Sequence, residues 1–256
     1  MLKVEKITIP TLPTKKPRRL YICLPKGYED SDRRYPVLYM FDGHNVFYDS
    51  HATYGKSWGM REYLNKAKLP IIIVAVECNP EGNERLSEYS PWDFSIPRHG
   101  DFSGRGKLTM DWFTGVLKPR IDAEYRTLPD REHTMIAGSS MGGIMSIYAA
   151  VEYNSVFSLA AALSPSLWLS PKNMDDMIKT HPLAKPTRIY MDMGSGETRE
   201  HTEPWERMFK LAKMLSKTGA YVAARVVPGA QHSEAYWEER IPVFMDFLDL
   251  AEGEKL

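Results

Sequence analysis

The serine at position 140 lies in a sequence pattern that few folds accommodate. Met135-Ile136-Ala137 is typical of a buried strand, Gly138-Ser139-Ser140-Met141-Gly142 is a G-x-S-x-G motif, and residues 144–152 are typical of a helix. This order predicts a nucleophile elbow, in which a strained turn exposes a serine Oγ at the top of a sheet. The following helix supplies N–H groups where an oxyanion would form. We therefore predict Ser140 as a nucleophile. The same pattern also fits a phosphate cradle or a simple tight turn.

Strand and helix patterns alternate along the chain. Predicted strands cover residues 3–9, 18–24, 35–41, 71–76, 133–137, 157–163, 188–193 and 221–227, and predicted helices cover 58–66, 110–125, 144–152, 205–218 and 235–250. The β-branched run at 71–76 is typical of a strand buried on both faces of a parallel sheet. The pattern predicts an α/β protein with a mostly parallel sheet of about eight strands, helices on both faces, and catalytic groups at the carboxyl ends of the strands.

The length and the loops predict one domain. A chain of 256 residues is long enough for one large α/β core and is not clearly long enough for two. We expect a single domain over residues 1–256. The stretch 77–107 is rich in proline, glycine, serine and aromatics, and long loops of this kind are usually functional. It is predicted to be a lid-like insertion.

Composition and charge exclude several classes of partner. Lys plus Arg and Asp plus Glu both number 33, so charge gives no reason to expect nucleic acid or an anionic membrane. The chain begins with no signal-like apolar segment and has no run of membrane-spanning length. Cys23 and Cys78 are the only cysteines, which suits free thiols in a reducing compartment. The sequence predicts a cytoplasmic location and leaves the oligomeric state open, a homo-oligomer included.

The sequence predicts neither a cofactor nor a metal. No G-x-G-x-x-G follows a predicted strand, and no G-K-[ST] motif occurs. His44 and His51 could be read as metal ligands, but no Cys, His and carboxylate cluster has convincing ligand spacing. The expected partner is a small-molecule ester.

A histidine and a carboxylate must complete the site. Of the seven histidines, His232 lies in the loop between the last predicted strand and the last predicted helix, where a base is expected. The chain order serine, acid, histidine requires a carboxylate between 140 and 232 that follows a strand. Glu197 follows the strand at 188–193 across Gly194-Ser195-Gly196 and is the preferred acid. Asp192 and Glu200 remain its rivals.

Two backbone N–H groups are predicted to form an oxyanion hole. One is that of Met141, which directly follows the nucleophile, and the other comes from the loop after the third strand. That loop is Asp42-Gly43-His44-Asn45, in which the N–H of His44 is the preferred donor. The alternative is that Asp42-Gly43 forms only a turn.

Several blocks of the sequence together form a recognisable set. They are Phe41-Asp42-Gly43, Arg85-x-x-Glu88-Tyr89-Ser90-Pro91-Trp92, Tyr125-Arg126-Thr127, Gly138-Ser139-Ser140-Met141-Gly142-Gly143, Ser164-Pro165-Ser166-x-Trp168 and His232-x-Glu234-x-x-Trp237. With these blocks the chain resembles the Putative esterase family, the α/β-hydrolase group that contains esterase D, feruloyl esterases, enterochelin esterases and the antigen 85 mycolyltransferases. The resemblance runs from about residue 18 to the carboxyl terminus.

This resemblance implies the α/β-hydrolase fold, Ser140 as nucleophile, His232 as base, Glu197 as acid, and the N–H groups of His44 and Met141 as oxyanion donors. It implies a serine carboxylic ester hydrolase that works through an acyl-enzyme. The substrate would be a small ester of aromatic (feruloyl-type), carbohydrate-linked or siderophore type. The alternatives are an acyltransferase that uses the same acyl-enzyme and a non-catalytic binding protein on a hydrolase fold.

A second group of residues is predicted to bind the substrate. The aromatic members would wall an acyl pocket, and arginines would hold an anionic group. The residues are Trp58, Arg85, Tyr89, Trp92 and Trp168, with Phe102 and Arg105 as further candidates. Core packing is the alternative role for each aromatic residue. A surface ion pair is the alternative for each arginine, including a pair between Arg85 and Glu88.

Overall fold

The computed structural model describes residues 1–197 and 203–248. Its strands, in chain order, are β1 (Leu2–Ile7), β2 (Arg18–Cys23), β3 (Val37–Met40), β4 (Ile72–Val76), β5 (Phe94–Ile96), β6 (Gly100–Phe102), β7 (Thr134–Ser139), β8 (Leu159–Leu163), β9 (Arg188–Gly194) and β10 (Tyr221–Val227). Eight of them form one sheet in the order β1-β2-β4-β3-β7-β8-β9-β10, and β5 pairs with β6 in a separate hairpin.

The sheet is mostly parallel. All neighbours from β4 through β3, β7, β8 and β9 to β10 run parallel, while β1 and β2 add two antiparallel strands at one edge. The carboxyl ends of the parallel strands therefore meet at one edge of the sheet. The prediction of a mostly parallel sheet of about eight strands is confirmed.

The helices cover both faces of this sheet. They are α1 (Met60–Ala67), α2 (Glu84–Glu88), α3 (Gly106–Trp112), α4 (Lys118–Glu124), α5 (Met141–Glu152), α6 (Pro171–Thr180), α7 (Pro204–Lys217), α8 (Glu234–Glu238) and α9 (Ile241–Phe247). Alternate side chains of a strand point to opposite faces. In β4, Ile72 and Val74 accordingly join a core with α3, α5, α6 and α7, whereas Ile73 joins a second core with α1 and α9.

Several segments differ from the sequence prediction, among them α6, which was not predicted. The stretch 77–107 was expected to be irregular, but it contains α2, the β5–β6 hairpin and the start of α3. Between α3 and α4 the chain stays helical through a π-helical turn at Phe113–Leu117, and Pro119 lies directly after this turn, in the first turn of α4. The predicted last helix is divided into α8 and α9, and its end at 249–250 lies outside the described residues.

The helices of residues 1–197 and 203–248 are all too short or too polar to cross a lipid bilayer. The single domain over 1–256 stays a prediction.

Candidate active site

Ser140 stands between β7 and α5 on a strained turn. Its φ of 55° and ψ of −118° lie in a region that L-residues rarely adopt, and such a conformation costs on the order of 1–3 kcal/mol. Its N–H donates to the Leu163 carbonyl at 2.9 Å, which ties the turn to β8. A Cβ on Gly138 would lie 2.7 Å from the carbonyl carbon of Gly142, so glycine permits the close turn. The local geometry is that of the strand, turn and helix that the motif predicts.

His232 and Glu197 lie on loops that follow neighbouring strands of the sheet. Nδ1 of His232 is 2.8 Å from Oε2 of Glu197. The loops are joined because the N–H of Gly196 donates to the carbonyl of Ala230 at 2.9 Å. A Cβ on Gly194 would overlap that carbonyl, so this glycine allows the approach. The structure thus brings the two residues together.

The surroundings of Glu197 favour its ionised form. The side chain is 7% exposed. Burial raises the pKa of Glu197, but hydrogen bonds from His232, Ser164 and the N–H of Gly194 outweigh burial, so the pKa lies below its ordinary value. The Ser164 hydroxyl and the Gly194 N–H both reach Oε1, at 2.6 and 2.7 Å. An ionised carboxylate here can stabilise a positively charged His232.

Asp192, the rival acid, has a different role. It is fully buried within β9, where it accepts hydrogen bonds from Arg240 Nη1 at 2.8 Å and from the Tyr190 hydroxyl at 2.7 Å. Burial raises the pKa of Asp192, and the Arg240 charge opposes that rise. Among the described residues it makes no contact with His232, so it serves as the counter-ion of Arg240. The second rival, Glu200, lies outside the described residues.

Ser140 and His232 line the same cleft, but within the described part of the chain no hydrogen bond joins them. Ser140 Oγ lies 3.4 Å from Ser166 Oγ instead. Catalytic hydrogen bonds often tighten only when substrate is bound. To activate the serine, the imidazole would have to come within hydrogen-bond reach of its hydroxyl.

The two predicted oxyanion donors come from backbone segments that touch. Met141 is the first residue of α5, where an N–H has no acceptor within the helix. His44 lies in a 3-10 turn at Gly43–Asn45, directly after β3. A Cβ on Gly142 would lie 2.9 Å from the Cβ of Phe41, so the end of β3 packs on the first turn of α5. This packing places both turns beside the elbow.

Asp42 anchors the turn that carries His44. Its φ of 54° is left-handed, and its N–H donates to the Tyr89 hydroxyl at 3.2 Å. Arg85 donates one hydrogen bond from Nε and one from Nη2 to the two carboxylate oxygens of Asp42, at 2.7 Å each. Burial raises the pKa of Asp42, but the charge and hydrogen bonds of Arg85 outweigh it and the pKa lies below its ordinary value. The pair is therefore ionised and fixed in geometry.

Among the described residues, one group could hold a metal ion. It consists of Asp42, His44 and Cys78, whose ligand atoms lie within 4.8 Å of one another. Their chemical types suit a divalent transition metal. However, Arg85 occupies both oxygens of Asp42, and its charge opposes a cation. Burial also raises the pKa of the Cys78 thiol well above its ordinary value, which keeps it protonated. The charge of this cluster is already balanced without a metal.

Two clefts meet at His232. One, of about 970 Å³, includes Ser140; we call it the polar cleft after its charged and imidazole side chains, although much of its surface is apolar, and these side chains are Arg19, Asp42, His44, His51, Lys56, Glu77, Arg85 and Glu234. The other, of about 960 Å³, is mainly apolar; its lining includes Leu86, Ile96, Pro97, Leu167, Trp168 and Met193. An ester that reaches Ser140 can place one half in each cleft.

Of the predicted substrate-binding residues, two line these clefts. Arg85 faces the polar cleft while it holds Asp42. Trp168 is 57% exposed in the apolar cleft, and its ring makes an edge contact with Phe94.

Three predicted substrate contacts are corrected by the structure. Trp58 is 3% exposed and packs between Trp237 and Phe244 in the core. Tyr89 is 1% exposed and acts through Asp42, as described above. Trp92 lines a separate cavity with Tyr148. In each case the aromatic ring supplies apolar burial rather than a wall of either cleft.

The further candidates also have structural partners. Glu88 forms a buried ion pair with Arg18 and not with Arg85. Arg105 pairs with Glu84 at 2.6 Å. Phe102 stacks on Phe94 within the β5–β6 hairpin, with ring centres 5.0 Å apart.

Sequence reasoning did not assign a role to four residues beside the site: Ser164, Ser166, Trp237 and Arg240. The two serines directly follow β8, so the rule that functional groups lie at the carboxyl ends of parallel strands could have identified them. Trp237 and Arg240 lie in and just after α8. Trp237 lies in the block His232-x-Glu234-x-x-Trp237 that carries the family resemblance, which was the available signal for it, whereas nothing in the local sequence of Arg240 indicates that it reaches the site.

Fold and site together define the class of protein: an α/β hydrolase whose site has the residue types of a serine esterase. Comparison with known families narrows this class. Residues 13–247 match the family described as Putative esterase, and the chain belongs to that family. The family predicted from the motifs is therefore confirmed, as are the α/β-hydrolase fold and carboxylic ester hydrolysis as the activity.

Relatives of this chain differ in how much of their length it covers. The uncharacterized protein YbbA of Bacillus subtilis is 26% identical over 231 residues, which cover 86% of this chain and 88% of YbbA. An iron(III) salmochelin esterase of Escherichia coli is 29% identical over 59% of this chain, but over only 38% of its own length. An IroE-like serine hydrolase from Shewanella oneidensis superposes with a TM-score of 0.75 at 21% identity, over 98% of this chain and 79% of the other.

Proposed function

We propose that this esterase works through an acyl-enzyme formed on Ser140. The observation that carries the proposal is the pairing of His232 with the ionised Glu197 in a cleft that also holds a serine on a strained turn. A carboxylate at Nδ1 fixes the imidazole tautomer in which Nε2 accepts a proton. Nε2 is then the base for the serine hydroxyl.

The reaction proceeds in two halves. Ser140 Oγ attacks the ester carbonyl while His232 takes its proton, and the N–H groups of Met141 and His44 stabilise the tetrahedral oxyanion. The protonated imidazole then gives its proton to the leaving alcohol. A water molecule repeats the sequence on the acyl-enzyme and releases the acid and the free serine.

The two clefts support an ester with unlike halves. An aromatic or aliphatic group fits the apolar cleft beside Trp168, and a polar group fits the cleft that contains Ser140 and the Asp42–Arg85 pair. Feruloyl-type and siderophore esters both combine such halves, and the iron(III) salmochelin esterase among the relatives favours the siderophore type. We propose a small-molecule substrate and a cytoplasmic site of action. The formation of a homo-oligomer stays a prediction.

The first experiment compares wild type with Ser140→Ala on p-nitrophenyl acetate and methyl ferulate. We expect turnover by the wild type and a loss of several orders of magnitude in kcat for the variant. A fluorophosphonate probe should label the wild type and the neighbouring-serine control Ser139→Ala, but not Ser140→Ala. Labelling that persists in Ser140→Ala would refute the assignment of the nucleophile.

The same assay separates hydrolysis from acyl transfer. Both reactions share the acyl-enzyme, and they differ in whether water or an alcohol captures it. With an alcohol acceptor added, the ratio of free acid to newly formed ester measures this choice. We expect mostly free acid; a predominance of the new ester would instead identify an acyltransferase.

A further inference from the structure

Ser164 lies at the centre of a buried hydrogen-bond network behind the acid. It directly follows β8, is 1% exposed, and has a left-handed φ of 46°. Its Oγ lies 2.6 Å from Oε1 of Glu197, 3.0 Å from Nε1 of Trp237 and 3.1 Å from Nη1 of Arg240. The hydroxyl therefore joins the acid loop to the carboxyl-terminal helical region.

The chemistry of these partners fixes the direction of every hydrogen bond. An indole N–H and a guanidinium N–H can only donate, so the Ser164 oxygen accepts from both Trp237 and Arg240. The hydroxyl has one proton, and the partner left for it is the carboxylate of Glu197. Ser164 must therefore donate to Oε1 of Glu197.

This donation determines which way Glu197 faces. Oε1 accepts from Ser164 and from the N–H of Gly194, so Oε2 is the oxygen left for Nδ1 of His232. Arg240 could compete with His232 for the Glu197 carboxylate, because its Nη2 lies 3.6 Å from Oε1 and has no hydrogen-bond partner in the described chain. Asp192 opposes that competition by pairing with Nη1 of Arg240 at 2.8 Å.

We propose that Ser164 is a positioning residue of the esterase reaction: its hydroxyl, oriented by Trp237 and Arg240, holds Glu197 toward His232. The inference rests on the proposed function, since it acts through the acid of that mechanism. Without the hydroxyl, Glu197 loses one of its two anchors at Oε1 and can turn toward Arg240. The imidazole then loses the carboxylate that fixes its tautomer.

The test uses two substitutions and a matched control. Ser164→Ala removes the hydroxyl, and Ser164→Gly removes it while relieving the left-handed backbone, so the second variant folds with less strain. Ser158→Ala is the control, because Ser158 is a buried serine beside the other end of β8 whose hydroxyl donates to the Arg131 carbonyl at 2.7 Å. Kinetics are measured on p-nitrophenyl acetate with circular dichroism as the check of folding.

For both Ser164 variants we expect kcat to fall roughly 10- to 100-fold, as for a catalytic group displaced by about 1 Å. KM should change less than about 3-fold, because Ser164 is only 1% exposed at the edge of the apolar cleft and its hydroxyl is bonded to Glu197, and Ser158→Ala should retain wild-type kcat. A kcat within about 3-fold of the wild type for folded Ser164→Gly would overturn the proposal.

A double-mutant cycle tests whether Ser164 acts through the acid. In a Glu197→Gln background, Ser164→Ala should cost less than about 3-fold, because the group it positions is already gone. An equal loss in both backgrounds would show that Ser164 acts independently of Glu197 and would overturn the inference. Failure of the proposed function has a separate signature, since Ser140→Ala would then stay active.

Discussion

Asp192 in β9 and Glu197 in the loop after it are both buried carboxylates, but removing their charges should affect different properties of the protein. Asp192→Asn should mainly reduce stability, and Glu197→Gln should mainly reduce catalysis. Asp192 is 0% exposed, and its partner Arg240 is 1% exposed. Removing one member of a buried ion pair leaves an uncompensated charge and costs about 3–5 kcal/mol. For a chain of this size that corresponds to a fall of roughly 6–20 °C in Tm.

The catalytic effects should be reversed. Glu197→Gln loses the negative charge beside Nδ1 of His232, and comparable substitutions in serine hydrolases lower kcat on the order of 10⁴-fold. Asp192→Asn leaves that contact in place, so kcat should fall less than about 10-fold. The residual loss would come from Arg240, which can then approach Glu197 across the present 3.6 Å.

Thermal unfolding and esterase kinetics on the same two preparations check this reasoning. The control for unfolding is wild type in the same buffer. Suppose that Asp192→Asn keeps its Tm and loses activity as completely as Glu197→Gln. The separate roles assigned to the two carboxylates would then be wrong, because Asp192 would be needed for catalysis and not for stability.

Three further predictions concern packing, the clefts and pH. Gly194→Ala should lower both Tm and kcat, because the new Cβ would overlap the Ala230 carbonyl in the loop that carries His232 and would lie 2.9 Å from Glu197 Oε1. Gly115→Ala is the control: open space surrounds Gly115, so both Tm and kcat should stay unchanged. Trp58→Ala should lower the free energy of unfolding by about 3–5 kcal/mol in chemical denaturation. Trp168→Ala, at an exposed position, should leave stability unchanged and raise KM for methyl ferulate. The reverse pattern would contradict the placement of the two rings. The pKa of Glu197 is lower in the folded state than its ordinary value, so its ionisation stabilises the fold above about pH 4.5. The difference in the free energy of unfolding between wild type and Glu197→Gln should therefore shrink as pH falls below that value. A difference that grows toward acid would refute the direction of the pKa shift.

The sequence predicted those features that depend on local pattern. The β-branched run of β4 and the glycines around Ser140 have physical meanings that do not depend on distant residues, and the structure has the sheet and the strained turn that they predict. The chain order and the glycine-containing bend after β9 also favoured Glu197 as the acid, and the structure places Glu197 against His232. Its rival Asp192 could not be set aside from sequence, because its partner Arg240 is 48 residues away.

Aromatic residues show why the substrate contacts were harder to predict. Trp58, Tyr89 and Trp168 are all large rings, and their sequence neighbours do not show which ring is buried: the exposed Trp168 is flanked by Leu167 and Leu169. Only tertiary packing separates them: Trp58 meets Trp237 from the carboxyl-terminal helices, whereas Trp168 projects into a cleft. Burial of a ring depends on elements more than 100 residues apart. A linear pattern does not contain that information.

The site can be understood as two ion pairs that hold two turns. Asp42 and Arg85 fix the turn that carries the His44 N–H, and Asp192 and Arg240 fix the region that orients Glu197. Buried ion pairs are weak sources of net stability, because desolvation offsets most of their attraction. Their geometric effect is larger, since each charge has one low-energy arrangement in a dry interior. If this view is right, replacing Asp192 and Arg240 together by apolar residues should restore much of the stability that Asp192→Asn loses. It should still leave kcat below that of the wild type, because Ser164 would lose Arg240, one of the two donors that orient its hydroxyl. Full recovery of both stability and kcat would show that the pair serves stability alone.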